Sequence, residues 1–197
     1  MLQTKKVLSL FAFVLIWTIA ICYAQDKPYY AFYPSSKGSD YKEFRHNIFG
    51  FSVDIPASWI FGIVNKNNLP VVLIYPEQIK TGEFTDSYET IEIGMITKNG
   101  ISLEEASEYT LDGMQLGHVE YKILKAPYAT NIDGQASRAF TATWISKSGF
   151  TIYEYIWLIA YKDEIRTICL RTTFDPEDKM GLYTNIVNSY EAFDRMQ

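Results

Sequence analysis

Between Phe49 and Thr173 the chain alternates short runs of apolar period two with turn residues. Phe49, Phe51, Val53 and Ile55 alternate with Gly50, Ser52 and Asp54, the pattern of a half-buried strand, and Pro56 ends it. Strands follow at Trp59–Val64, Val71–Tyr75 and Thr90–Thr97, with a turn cluster at 65–68 and a polar loop at 77–88. Ser102 and Glu105 form a capping box, each side chain answering a free N–H of the other's backbone. Leu103, Ala106, Thr110, Leu111 and Met114 then recur on one helical face, and Gly117 supplies a stop. Four more strands are expected at Tyr121–Lys125, Gln135–Ile145, Phe150–Tyr161 and Ile165–Thr173. Asp133-Gly134 and Ser146–Gly149 are the hairpin turns between them. A closing helix is capped by Asp175, carries Pro176 in its first turn, and has an apolar stripe of Met180, Tyr183, Ile186, Val187, Tyr190 and Phe193.

Strands, helix, strands, helix with short connections specify an α+β chain: an antiparallel β-sheet meander with helices packed on both faces, an αβα sandwich. The strand 150–161 is apolar on both faces, with Ile152, Ile156 and Leu158 against Tyr153, Tyr155 and Trp157. It is therefore expected in the sheet's centre, covered on both sides.

The ends of the chain read differently. Residues 1–24 have the form of a signal peptide: Lys5 and Lys6, an uncharged run from Val7 to Ile21, then Cys22-Tyr23-Ala24 before Gln25. That run of 15 residues is shorter than the roughly 20 needed to span a bilayer, which disfavours a membrane anchor. Ile21 before Cys22 disfavours lipoprotein processing there. Export to the periplasm or the medium is the expectation, with no stable membrane span after processing. Residues 25–44, with Pro28, Pro34, Gly38 and the run Tyr29, Tyr30, Phe32, Tyr33, read as a flexible Tyr-rich arm, and residues 45–197 as one domain.

Cleavage before Gln25 removes Lys5 and Lys6 and none of the 23 acidic residues, taking the net charge from −5 to −7. Such a balance disfavours nucleic acid as a partner. It also leaves Cys169 as the single thiol, so stability must come from burial, which the chain's 15 Tyr, 12 Phe and 4 Trp, all but Phe11, Phe13, Trp17 and Tyr23 lying after residue 24, can supply.

The stretch Phe49-Gly50-Phe51-Ser52-Val53-Asp54-Ile55-Pro56-Ala57-Ser58-Trp59, an alternating strand ended by Pro and followed by Trp, resembles the opening hairpin of the PsbP-like family. The later order, a central helix, a meander and a C-terminal helix, is also similar, so the resemblance spans about residues 45–194. It implies an αβα sandwich around an antiparallel sheet. The family holds photosystem II extrinsic proteins, a Ran-binding nuclear import factor and exported bacterial proteins of unknown role. It brings no shared catalytic residues, and its roles are mostly binding or assembly.

Candidate chemistry is sparse. His46 and His118 are read as ordinary exposed positions, and no G-x-S-x-G elbow accompanies them. One cysteine and two distant histidines lack zinc-ligand spacing, and the acids Asp175, Glu177 and Asp178 suit a helix start better than a cation. Mid-strand Cys169 reads as a small buried hydrophobe. No catalytic residue, metal or cofactor is assigned. One polar constellation stands out: Glu154 in the central strand, with Arg138, Arg166 and Arg171 on its neighbours and Trp144, Tyr153, Tyr155 and Trp157 beside it. It reads as a cross-strand ion pair or as an Arg/Glu-lined ligand site. The expected role is an exported, non-catalytic binding or assembly protein with an unknown protein partner. The alternatives are a small-ligand binder with a pocket between a helix and the aromatic sheet face, and an unrecognised hydrolase.

Overall fold

The computed structural model describes residues 29–66, 69–77, 89–97, 100–174 and 176–195. The signal peptide, residues 25–28, most of the 77–88 loop and the Asp175 cap lie outside the described residues.

Two antiparallel sheets carry the fold. The larger has seven strands in the order β4-β5-β6-β10-β9-β8-β7, and the smaller has four in the order β1-β2-β3-β11. Their ranges are β1 Tyr30–Pro34, β2 Tyr41–His46, β3 Phe51–Pro56, β4 Trp59–Lys66, β5 Leu69–Pro76, β6 Glu89–Thr97, β7 Val119–Ile132, β8 Gln135–Ile145, β9 Thr151–Tyr161, β10 Glu164–Thr172 and β11 Glu191–Ala192. Helix α1, Leu103–Gly117, separates β6 from β7, and helix α2, Pro176–Asn188, separates β10 from β11.

Each face of the large sheet has its own core. On one, Ile156 and Leu158 of β9, Ile165 and Cys169 of β10 and Phe140 of β8 pack against Ala106, Leu103, Leu111 and Met114 of α1. The capping box starts α1 as expected: Glu105 N–H donates to Ser102 Oγ at 3.1 Å and Ser102 N–H to Glu105 Oε2 at 2.7 Å. On the other face, Ile91, Ile93, Tyr155, Ile159, Ile168 and Leu170 meet Tyr183, Ile186 and Val187 of α2 and Tyr190 just beyond it; the helix ends at Asn188, so Tyr190 and Phe193, expected on its stripe, follow it instead. Phe44, Phe51, Val53 and Ile55 of the small sheet complete that core. Helices cover both faces, as the pattern required, and β9 is buried on both sides between β8 and β10.

The small sheet differs from the sequence reading. Residues 30–34, expected in a flexible arm, form β1 and pair with β2 from Tyr30↔His46 to Pro34↔Lys42. The Tyr-rich run is a strand because Tyr30 and Phe32 alternate onto Phe61, with ring centroids 4.6 and 5.9 Å away. β3 is buried at every position from Phe51 to Ile55 rather than on one face. Its second face is closed by the end of α2, where Asp54 N–H donates to Ser189 Oγ at 2.8 Å, and by Lys37, 3.8 Å from Asp54.

Gly50 makes this closure possible. Its φ of 66° is left-handed, and a Cβ there would lie 2.3 Å from the Phe193 carbonyl oxygen, where β11 comes in to pair with β3.

Candidate functional site

The two faces of β8 set the two chemical environments of the molecule. Toward α2 it presents Ser137, Ala139, Thr141 and Thr143; toward α1 it presents Arg138, Phe140, Ala142 and Trp144. On the α2 side, cross-strand register places Ala139 between Tyr128 and Trp157, and Thr141 between Lys125 and Tyr155. Small residues on the middle strand and large ones on both neighbours make a trough along β8. Its far wall is one helical stripe, Glu177, Met180, Thr184, Val187 and Asn188 of α2. The cavity measures about 540 Å³, within the range of small-molecule sites.

The floor is flat and aromatic. The Tyr155 and Trp157 rings lie within 18° of parallel with centroids 6.2 Å apart. Lys125 Nζ sits 3.6 Å from the centroid of Tyr128. β7 is an irregular edge strand here, with register shifts on both sides of Lys125 and Pro127 within the second. These bulges re-aim its side chains, so Lys125 and Tyr128 both line the trough.

On the α1 side, register sets Arg171 directly opposite Glu154. Arg171 Nε donates to Glu154 Oε1 at 2.6 Å, while Nη1 binds Glu92 on β6. Cys169 Sγ lies 3.3 Å from Glu154 Oε1, and the Tyr121 hydroxyl donates to Oε2 at 3.3 Å. Glu154 is 0% exposed, and both of its oxygens are occupied. A lone buried carboxylate costs several kcal/mol; one holding Arg171 and two further donors is satisfied. Burial raises the Cys169 thiol well above its usual range, with Glu154 and Glu92 adding to the rise against Arg171. A thiol held protonated is a poor nucleophile. Burial likewise raises the Tyr121 phenol, with the Glu154 carboxylate adding to it. This cluster holds protons in place.

No family's sequence model matches the chain, and no curated protein sequence matches it significantly. Solved structures do match. The cyanobacterial PsbP protein (CyanoP) of Synechocystis sp. PCC 6803 superimposes with a TM-score of 0.56 at 12% identity, over 86% of this chain and 95% of that one. The fold is PsbP-like. The Ran-binding protein Mog1p of Saccharomyces cerevisiae superimposes with a TM-score of 0.50 at 14% identity, over 84% and 96% of the two chains. A Pseudomonas aeruginosa protein of unknown function covers 86% of this chain and 99% of its own at 11% identity, with a TM-score of 0.47. At these identities the likeness is one of fold, and it agrees with the αβα sandwich that the Phe49–Trp59 resemblance implied.

Within this PsbP-like sandwich the eight residues of the polar and aromatic constellation do not meet at one place; Tyr153, Tyr155 and Trp157 lie on the face opposite Glu154. Arg171 faces Glu154, but Arg138 lies along β8 from it, 3.5 Å from Glu104 of α1 and 3.4 Å from the Pro127 carbonyl. Arg166 is on the opposite face, pairing in register with Ile159. It is 1% exposed, donates to the Phe49 and Gly50 carbonyls and lies 3.0 Å from Glu164. Trp144 faces α1, 4.1 Å from the His118 ring, while Trp157 floors the trough. The alternation of β9 separates them: Glu154 and Trp157 are an odd number of residues apart, so a strand puts them on opposite faces.

Both histidines are less exposed than expected. His46 is 2% exposed, stacked on Phe49 at 4.3 Å, and its Nδ1 accepts from Phe49 N–H at 3.3 Å. Burial lowers its pKa, and burial also lowers that of half-buried His118. β1 pairs across the strand end that carries His46, with Tyr30 opposite it, so one feature accounts for both the ordered arm and the buried ring.

Of the trough residues only Tyr155 and Trp157 are expected from the sequence at a ligand site, as flanking aromatics. The signal for the rest was present: Ser137, Ala139, Thr141 and Thr143 mark one face of a long central strand as uniformly small. Among the described residues no helix is long and apolar enough to cross a membrane.

Proposed function

We propose that this is an exported binding protein without catalysis of its own, and that its binding site is the trough between α2 and β7–β9. The observation that carries this is the division between the two sheet faces. The groups suited to proton transfer or nucleophilic attack, Glu154, Glu92, Cys169 and Tyr121, are spent on one another around Arg171. The trough, by contrast, offers aromatic surface to solvent, with Met180 on its wall 42% exposed. The fold itself accommodates binding roles, since Mog1p is a Ran-binding protein.

Two measurements test the reading. Native mass spectrometry of protein gently purified from its own compartment should show an adduct, lost when Thr141→Trp fills the trough. Bare protein in both samples would count against a binding role. The intact mass of the same sample should begin at Gln25; a chain retaining residues 1–24 contradicts cleavage and export.

A second reading, docking of a protein partner, is favoured by β1. Tyr30, Phe32 and Tyr33 on this edge strand are 45%, 43% and 44% exposed, and Tyr29 before it is 70% exposed. Tyr29→Ser with Tyr33→Ser should then abolish partner capture and leave the adduct in place.

A further inference from the structure

The trough has a chemistry that narrows its occupant. Three aromatic rings, Tyr128, Tyr155 and Trp157, surround the small residues Ala139 and Thr141, so a flat apolar body can reach the sheet backbone between them. The Tyr155 and Trp157 rings are stacked, 18° apart, so half-buried Trp157, backed by buried Tyr155, is the ring on which a ligand stacks. Met180 on the facing wall adds a polarisable thioether, which favours contact with an aromatic ring.

Charge sets the polarity of the ligand. Lys125 is the one cation among the described lining residues, and its ammonium is held on the Tyr128 ring at 3.6 Å. An ammonium pinned beside a stacking surface is placed to pair with the anionic group of a ligand that stacks there. Glu177, the one carboxylate among the described lining residues, stands on the helical wall in the first turn of α2. There the helix dipole stabilises a negative charge and disfavours a role as ligand-binding counter-ion. Thr141, Thr184 and Asn188 supply neutral polar groups for orientation.

We propose that the trough binds a small aromatic carboxylate, its ring stacked on Trp157 and its carboxylate paired with Lys125. This rests on the reading of the trough as the binding site and goes further by fixing the ligand's class.

The test is isothermal titration of the mature protein at low salt with two probes of the same ring, indole-3-acetate and tryptamine. The acid should bind at least 5-fold more tightly than the amine. Lys125→Glu should weaken the acid at least 10-fold and leave the amine as strong or stronger. Trp157→Ala should weaken both, with circular dichroism confirming that each variant is folded. Equal binding of acid and amine, unchanged by Lys125→Glu but lost in Thr141→Trp, would overturn the carboxylate assignment and leave the trough as a binding site. Binding of either probe that survives Thr141→Trp, or binding of neither, would overturn both.

Discussion

The two faces of the large sheet are built from the same seven strands, yet they solve opposite problems. Toward α1, β8 offers Phe140 and Trp144, the helix closes down on Ile156 and Leu158, and the charged groups left beneath it must satisfy one another. Toward α2, β8 offers only small side chains, the helix leans on β9, β10 and the small sheet, and a trough stays open above Ala139 and Thr141. What separates a sealed polar core from an open site is therefore side-chain volume on one strand. Polar content does not decide it: both faces bury charge, Glu92, Glu154 and Arg171 on the α1 side and Glu89 and Arg166 on the α2 side.

The largest break in this contrast should come from Arg171→Met. It strands Glu92 and Glu154, both buried, without their shared cation, and urea unfolding should show a loss of about 3–5 kcal/mol. Lys125→Met in the open trough should stay within about 0.5 kcal/mol of the parent, as surface changes usually do. Adjacent residues of β8 offer a sharper comparison. Ala142, 1% exposed on the α1 face, should lose about 1–3 kcal/mol on change to Leu from overpacking. Thr141→Leu, one residue away and facing the trough, should cost less than about 1 kcal/mol because the larger side chain has space to enter.

The histidines give a pH-dependent version of the contrast. Burial depresses His46 in the folded state, so below about pH 6.5 the unfolded chain binds more protons there than the folded one. Stability contributed by neutral His46 is present above that pH and is lost as the pH falls toward the folded value. The slope can reach about 1.4 kcal/mol per pH unit for one proton. Urea unfolding of His46→Gln across pH 7.5 to 5 should remove most of that slope. His118→Gln should change it less, because that ring is only half-buried.

Much of the large sheet was legible in the sequence for a local reason: its strands carry period-two patterns and are joined by turns of explicit chemistry. Asp133 and Gly134, for example, both take positive φ as their turn type demands. Strand β1 was hidden because aromatic residues between Pro28 and Gly38 satisfy a loop's composition, and only Phe61, far along the chain, makes them a strand. β11, two residues long, exists because Gly50 lets it approach. The candidate site was half legible. Glu154 with Arg171 follows from cross-strand pairing, whereas the trough depends on which face of β8 meets which helix, a tertiary fact. The polar constellation attracted the reading because charges in an apolar strand are conspicuous, while a row of Ser, Ala and Thr is not.

Trp144 and Trp157 lie on opposite faces of the same sheet and report on the two regions separately. Nitrogen-15 labelling of tryptophan gives each indole N–H its own resonance, to be followed while unlabelled indole-3-acetate, or tryptamine, is added to the mature protein. A trough that binds predicts that the Trp157 signal moves and saturates while those of Trp144 and Trp59 stay in place. Movement of Trp144 with Trp157 fixed, or no movement with either probe, would contradict it.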